Sequence, residues 1–415
     1  MRFLYDTGIH IYWLMAGITS LWNRKARLWV KGRRRWYERM VHTVDRDREL
    51  IWFHCASLGE FEQGRPVMEE IRKRYPDHSI LLTFFSPSGF EKRKNYDGAD
   101  YVMYLPLDTR RNARKMLDYL PVRMVFFIKY EFWYHFLRQL RRKGVPVYLA
   151  SGNFRAGQLF FRWYGSWYRR FLKLFTHLFV QNKESRNLLE GVGCMNVTVA
   201  GDTRFDRVHE LLNIPFEHPV LKQFARDSRI IVAGSTWEKD EQLLAQAYRE
   251  LPEDLHWIIA PHEVSPGHLR SLQERFPGSV LYTELEKEFS PGTRVILVDT
   301  IGKLSYLYRY GTLAYIGGGF GKGIHNILEA ATYGMPVLFG PEHEKFAEAV
   351  ELVSLGGAFM VGNSGDLLFT VHQQLENPDL LKTTSQIAAN YVSQRVGATS
   401  AIIEKVCIKS QANLP

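Results

Sequence analysis

A chain of 415 residues is longer than one hydrophobic core ordinarily supports, and 46% hydrophobic with 24% charged residues is a globular mixture, which argues against a disordered chain or a bundle of membrane spans. Fifty-four Lys and Arg against 44 Asp and Glu leave a formal charge of +10, so an acidic partner is expected: nucleic acid, an anionic membrane surface or a phosphorylated substrate. Three cysteines, Cys55, Cys194 and Cys407, lie far apart without CxxC spacing, which speaks against a zinc site or a disulfide framework and fits a reducing cytoplasm.

The chain opens on FLYDTGIHIYWLMAGITSLW, apolar and aromatic but interrupted by Asp6 and His10, with no small-residue cleavage site. The sixteen residues from Thr7 to Trp22 fall short of the roughly 20 that cross a bilayer upright, and tryptophan and cations at the ends suit an interface. Between Arg24 and Arg39 follow eight basic residues (Arg24, Lys25, Arg27, Lys31, Arg33, Arg34, Arg35 and Arg39) against the single acid Glu38. Residues 1–40 therefore read as a membrane-inserting helix that does not cross, with the cationic run in the headgroups and the rest of the protein on the cytoplasmic side. The alternative is a hydrophobic helix packed on the protein body.

From Leu50 short apolar runs alternate with amphipathic stretches, the βαβα pattern of parallel sheets covered by helices, so the fold class is α/β. The runs LIWFHCA, SILLTFF, YVMYLPL, RMVFFIKY, VPVYLAS, HLFVQN and NVTVAG predict the strands of a first domain over 41–212. After a weakly patterned stretch with Pro215 and Pro219 comes a second series, RIIVAGS, HWIIAPH, RVILVDT, TLAYIGGG, PVLFGP and AFMVG, in a domain over 220–415. Two similar layouts in succession suggest twin Rossmann-like domains facing across a cleft. Such sheets bind ligands beyond the carboxyl ends of their strands, which gives the residues after each run priority.

The first such place is His54-Cys55-Ala56-Ser57-Leu58-Gly59-Glu60, where a strand meets a small-residue turn and a helix. Ser57 and Gly59 leave the backbone approachable, and Glu60 is either a general base or an acid that favours the helix dipole. Glu131, in Lys129-Tyr130-Glu131-Phe132-Trp133, is either paired with a cation such as Lys129 or kept for a site. Asn153 and Arg155, and Arg204 and Asp206 in Gly201-Asp202-Thr203-Arg204-Phe205-Asp206, are candidates for the acceptor side of the cleft or for hydrogen-bonded turns.

The strongest local signal is Gly317-Gly318-Gly319-Phe320-Gly321-Lys322-Gly323-Ile324-His325-Asn326, between the run TLAYI and the helix pattern ILEAATYG. Its glycines, Gly321 and Gly323 included, would let phosphate oxygens reach backbone N–H groups at a helix start, and Glu329 stands one turn beyond Asn326 to meet a ribose. Gly234-Ser235-Thr236-Trp237 offers hydroxyls for a phosphate or for an N-cap. No HExxH, clustered metal-ligand spacing or GxSxG elbow is present, so neither metal-dependent hydrolysis nor a catalytic triad is expected.

Taken in order, HCASLGE at 54–60, TFFSPSG at 83–89, YEFW at 130–133, GNFR at 152–155, VQN at 180–182, GDTRFDR at 201–207, AGSTW at 233–237 and GGGFGKGIHNILEA at 317–330, together with the basic N-terminal segment, resemble the 3-deoxy-D-manno-octulosonic acid (Kdo) transferases of Gram-negative lipopolysaccharide synthesis. The resemblance implies a GT-B glycosyltransferase fold, with the first domain meeting a lipid acceptor and the second holding CMP-Kdo, and the last stretch from about Asp379 crossing back to the first domain. It further implies an inverting, metal-independent transfer of Kdo to a lipid A precursor at the cytoplasmic face of the inner membrane, with no cofactor and no nucleic-acid partner. Glu60 matches the family's catalytic base and Glu131 its second essential acid. Ser235, Thr236, Gly323, Asn326 and Glu329 match positions near the nucleotide.

Two positions depart from the pattern. The family's usual Pro-Arg is Pro261-His262 here, with Arg270 the candidate to compensate, and its Gly-Glu is Gly302-Lys303. Two other readings are a lipid-A-disaccharide-synthase-like GT-B enzyme using a UDP-sugar and a non-catalytic membrane or nucleic-acid-binding protein. The latter leaves Glu60 and the glycine loop without a role.

Overall fold

A computed structural model describes residues 1–411, with side chains as far as 406. The chain divides into two compact units, one of Met1–Arg207 together with the chain from Val396 onward, the other of Val208–Arg395.

The first unit is built on β1 (Leu50–Cys55), β2 (Ser79–Phe84), β3 (Tyr101–Tyr104), β4 (Val122–Ile128), β5 (Val147–Gly152), β6 (His177–Val180) and β7 (Val197–Val199). All pairings are parallel, in the order β3-β2-β1-β4-β5-β6-β7. The strands lack a polar face because helices cover both sides. In β1, Trp52 packs with Leu81, Val125 and Phe127 on one face, while Ile51 and Phe53 pack with Ile80, Leu82 and Phe126 on the other. The chain leaves β1 towards β2 and β3, then returns to β4 on the opposite side, so the order reverses between β1 and β4.

The second unit repeats the plan with β8 (Arg229–Thr236), β9 (Leu255–Pro261), β10 (Val280–Leu281), β11 (Val295–Leu297), β12 (Leu313–Ile316), β13 (Val337–Phe339) and β14 (Ala358–Met360). Its order, β10-β11-β9-β8-β12-β13-β14, is again all parallel and reverses between β8 and β12. The two-residue β10 is too short to show as an apolar run. Helix Pro378–Ser393 stays with this unit. The final helix, Ala398–Gln411, lies on the first sheet, where Ile402, Ile403 and Val406 are buried with Ile51, Phe53 and Phe179. Each such aliphatic side chain contributes at most about 1.5–3 kcal/mol of burial.

At the other end, α1 (Arg2–Thr19), α2 (Arg24–Arg33) and α3 (Trp36–Thr43) precede β1. No residue of α1 is buried, and Phe3, Leu4, Ile11, Trp13, Leu14 and Met15 are exposed. The helix is nevertheless tied to the body. The Tyr5 hydroxyl donates to Asp108 at 2.5 Å and Asp6 meets Nε2 of His135 at 2.5 Å, so Asp6 is an attachment point rather than an interruption. Among the described residues no helix is long and apolar enough to cross a membrane. Of the eight basic residues that follow, Arg33 does not face outward. Its guanidinium lies 4.0 Å from the Trp29 ring centroid and donates to the Phe85 carbonyl at 2.8 Å, and burial pushes its pKa down to about 9.

Candidate active site

In open α/β sheets the crevice at the reversal of strand order, beyond the carboxyl ends, is where ligands bind. In the first unit that place is the pair β1 and β4, and both candidate acids stand there. Glu60 lies in the first turn of α4 (Leu58–Arg74), which starts directly after β1 with Ser57 as N-cap. Glu131 follows β4 by three residues, after Lys129, whose φ of +66° turns the chain sharply off the strand.

The carboxylate of Glu60 accepts the Ala56 N–H, from the residue before the N-cap. That bond does not stabilise the charge enough to offset its surroundings. Burial raises the Glu60 pKa and the nearby charge of Glu131 raises it further, while the Ala56 N–H, Lys129 and the Ser57 N–H pull it down, leaving it at about 8. A carboxylate so tuned can take a proton from a sugar hydroxyl near neutral pH. Burial, and after it the same carboxylates, push the neighbouring Cys55 thiol well up, which keeps it protonated.

Glu131 is buried and held by two rings. Its Oε2 accepts the Trp133 indole N–H at 2.6 Å and lies 3.0 Å from Nε2 of His54. Nδ1 of His54 sits 2.8 Å from the Thr83 hydroxyl and 3.1 Å from its carbonyl, and that hydroxyl accepts the Trp52 indole N–H at 2.7 Å. His54 alternates with apolar residues along β1 and registers against Thr83 of β2. A histidine at the next-to-last position of an apolar strand was the available signal, and only spatial pairing gives it a role.

The other acceptor-side candidates are gathered unequally. Ser57 is half-buried beside Glu60, and Gly59 is exposed. Arg155 is exposed after β5 with Asn153 half-buried behind it, and its charge acts on Tyr130, whose hydroxyl pKa is raised by burial first and then by Glu60 and Asp202. Glu60, Tyr130, Arg155 and Asp202 therefore share one neighbourhood. Arg204 is engaged by Asp202 at 2.8 Å. Asp206 is occupied elsewhere, accepting the backbone N–H of Gly397 at 2.5 Å and of Thr399 at 2.7 Å, and the Thr399 hydroxyl at 2.8 Å. It holds the start of the final helix.

In the second unit the reversal between β8 and β12 carries the glycine loop. Gly317 passes so close to the backbone of Ser235 and Thr236 that a Cβ would lie 2.3 Å from the Ser235 carbonyl oxygen, and Gly323 has φ of +120°. The loop is pinned by a residue that sequence patterning did not single out. Buried Asp240 accepts the Tyr315 hydroxyl at 2.8 Å, the Gly318 N–H at 2.9 Å and the Trp237 N–H at 2.9 Å. Its signal was its place three residues past the N-cap Trp237, where an acid completes a capping box.

The helix expected from ILEAATYG after the loop is only Leu328–Ala331, four residues, which is too short to offer much of a dipole. Asn326 precedes its N-cap Ile327, accepting the Leu328 N–H at 3.2 Å and donating to Glu329 at 3.1 Å. Gly321 is exposed and Gly323 half-buried. Ser235 is half-buried with φ of +54° at the strand end, whereas the buried Thr236 hydroxyl is bound to Glu241 at 3.1 Å. Arg270 is exposed on helix Pro266–Arg275, and among the described residues no hydrogen bond or ion pair ties it to the loop.

Where the resemblance would place an arginine, His262 lies with its ring centroid 4.5 Å from those of both Trp237 and His325. The Trp237 indole N–H donates to Nε2 of His325 at 3.1 Å, so that nitrogen is an acceptor. Burial and then His262 push the His325 pKa down to about 4, in keeping with a neutral ring. Lys303 has its Nζ 6.0 Å from the Phe216 ring centroid. Among the described residues no group of three His, Cys, Asp or Glu side chains is arranged to hold a metal ion.

Residues 34–207 match the family model described as 3-deoxy-D-manno-octulosonic-acid transferase. A protein of that name from Aquifex aeolicus is 27% identical over 327 residues, 77% of this chain and 84% of the relative. Another from Bordetella pertussis is 25% identical over 373 residues, 85% of this chain and 86% of the relative. Among solved structures, the UDP-GlcNAc 2-epimerase of Neisseria meningitidis bound to UDP-GlcNAc superposes with a TM-score of 0.58 at 18% identity, covering 87% of this chain and all (100%) of the other, which is a likeness of fold. The two parallel sheets flanked by helices are consistent with a GT-B-like two-domain fold, and the sequence matches show that this chain is similar to the Kdo transferases.

Proposed function

We propose that the protein is an inverting, metal-independent transferase that moves Kdo from CMP-Kdo to a lipid A precursor at the cytoplasmic face of the inner membrane. Its family and fold matches support the broader class, a GT-B glycosyltransferase acting with a nucleotide-sugar donor. The observation that carries the finer reading is Glu60, a carboxylate with a pKa of about 8 at the reversal point between β1 and β4, beside Glu131.

In this reading the two units carry two half-sites. In the first, Glu60 takes the proton of the acceptor's sugar hydroxyl as its oxygen attacks the anomeric carbon of Kdo from the face opposite the phosphate. The new C–O bond forms as the bond to CMP breaks, through a transition state of oxocarbenium character. In the second, CMP leaves with the electron pair as a phosphate monoester, whose charge is met by backbone N–H groups of the glycine loop, with Ser235, Asn326 and Glu329 towards the nucleotide. Glu131 keeps the site anionic enough to raise Glu60. The exposed apolar residues of α1 and the outward-facing cations of α2 and α3 rest in the membrane interface, where each cation near an anionic surface contributes about 1 kcal/mol.

The test is transfer from CMP-Kdo, made in situ, to a detergent-dispersed tetraacylated lipid A precursor, read by product mass for wild type and Glu60→Ala. Kdo addition by wild type and none by the folded variant is expected. No transfer by folded wild type would overturn the assignment of donor and acceptor.

A further inference from the structure

Between α1, α2 and the turn after β2 lies a cavity of about 360 Å³, within the size range of small-ligand sites. Its walls are Tyr12, Met15 and Ala16 of α1, Ala26 and Trp29 of α2, and Phe85. Three of these rings make the floor: Tyr12 and Trp29 meet edge to face at 5.4 Å, and Phe85 lies 5.6 Å from Trp29 and 6.0 Å from Tyr12. Arg33, stacked on Trp29 and bonded to the Phe85 carbonyl, holds that floor from the protein side.

The lining is apolar inside and cationic at the rim. Lys25 borders the cavity, with Arg24 and Arg27 on the same turn of α2, and Thr19, Ser86 and Pro87 complete the lining. A ligand that fits has a flexible apolar chain joined to a negative headgroup. Nucleic acid lacks the chain and a neutral sugar lacks the charge.

One connection separates the acceptor from bulk lipid. Phe85, part of the cavity floor, lies 4.9 Å from Trp133 on its other side, and the Trp133 indole N–H donates to Glu131 at 2.6 Å. The cavity and the catalytic acids thus share one continuous set of ring contacts. Membrane lipid has no need of that proximity, whereas a substrate whose sugar must reach Glu60 does.

We infer that the groove between α1 and α2 binds one acyl chain of the lipid acceptor, with Lys25 towards its anionic headgroup, and so places the sugar at the site. This rests on the proposed lipid acceptor.

The test uses the full chain in detergent and an acceptor with a diazirine at the end of one acyl chain, the crosslinked peptides being read by mass spectrometry. Labelling is expected on α1, α2 or Phe85, competed by unlabelled acceptor but not by equal phosphatidylglycerol, and reduced at least tenfold in Ala26→Trp and in Met15→Trp. Near-ultraviolet circular dichroism reports whether each variant is folded, and either one alone suffices. Labelling elsewhere, equal competition by phosphatidylglycerol, or undiminished labelling of a folded groove-filling variant would each overturn the inference. Labelling as expected in an enzyme that transfers no Kdo would support the groove while the reading of the reaction fails.

Discussion

Nε2 of His54 lies 3.0 Å from Oε2 of Glu131, with both residues buried. The Trp133 indole N–H lies 2.6 Å from the same Oε2 and 3.1 Å from the same Nε2, and Nδ1 faces the Thr83 hydroxyl and carbonyl, so the contact is one edge of a closed polar cluster. His54→Ala leaves a buried acid without this partner, which should cost about 3 kcal/mol of stability. Glu131→Gln on that background should recover part of it. Urea unfolding of the two single variants and the double variant measures the coupling, and strict additivity would mean that the contact contributes nothing.

The Glu60 pKa of about 8 sets a pH dependence of activity. A base must be unprotonated, so kcat/KM should fall tenfold per unit of pH below about 8 and level off above. Glu131→Gln removes the second cause of the shift and should move that limb to lower pH in whatever activity remains. A limb unmoved in an active Glu131→Gln variant would show that burial acts alone.

Stability should respond in the opposite sense. Between the ordinary carboxyl value of 4.5 and about 8 the folded chain holds a proton at Glu60 that the unfolded chain has released. The contribution of this group is therefore full below 4.5 and is lost as pH rises through about 8. Glu60→Gln should gain stability relative to wild type between pH 5 and pH 9, read as the difference in urea midpoint.

Two glycines of the loop should separate folding from binding. A Cβ on Gly317 would strike the Ser235 backbone, whereas one on Gly321 would come no nearer than 3.7 Å to the Gly318 carbonyl oxygen. Gly317→Ala should lower the unfolding temperature of the second unit. Gly321→Ala should leave it unchanged but weaken CMP binding about tenfold if phosphate lies against the loop. Calorimetric titration with CMP checks this, and unaltered affinity would remove the loop from the donor site.

Asp206 offers a test of the chain's return to the first unit. Loss of its three hydrogen bonds to Gly397 and Thr399 in Asp206→Ala should cost about 1–2 kcal/mol, the range of a helix cap. Hydrogen exchange of 398–406 should accelerate before that of β1. Equal acceleration across the unit would mean that the helix does not open separately.

Local pattern was enough for much of the fold. The thirteen apolar runs all became strands, because residues covered on both faces of a parallel sheet leave a continuous hydrophobic signature. The glycine loop was legible for a related reason: only glycine tolerates the approach that Gly317 makes to Ser235. Candidates were sought after strands because chain direction in a parallel sheet fixes which ends share an edge.

Tertiary structure decided which of those ends meet. Nothing local makes β4 the neighbour of β1, yet that adjacency brings Glu131 to His54, 77 positions away, and raises the Glu60 pKa. Arg33 read as one cation among eight until Trp29 and Phe85 enclosed it, and Asp206 read as a cleft residue until the final helix returned to it. Composition and periodicity record how each segment meets water, whereas burial, charge coupling and hydrogen-bond partners depend on segments distant in the chain, and only the folded arrangement sets those distances.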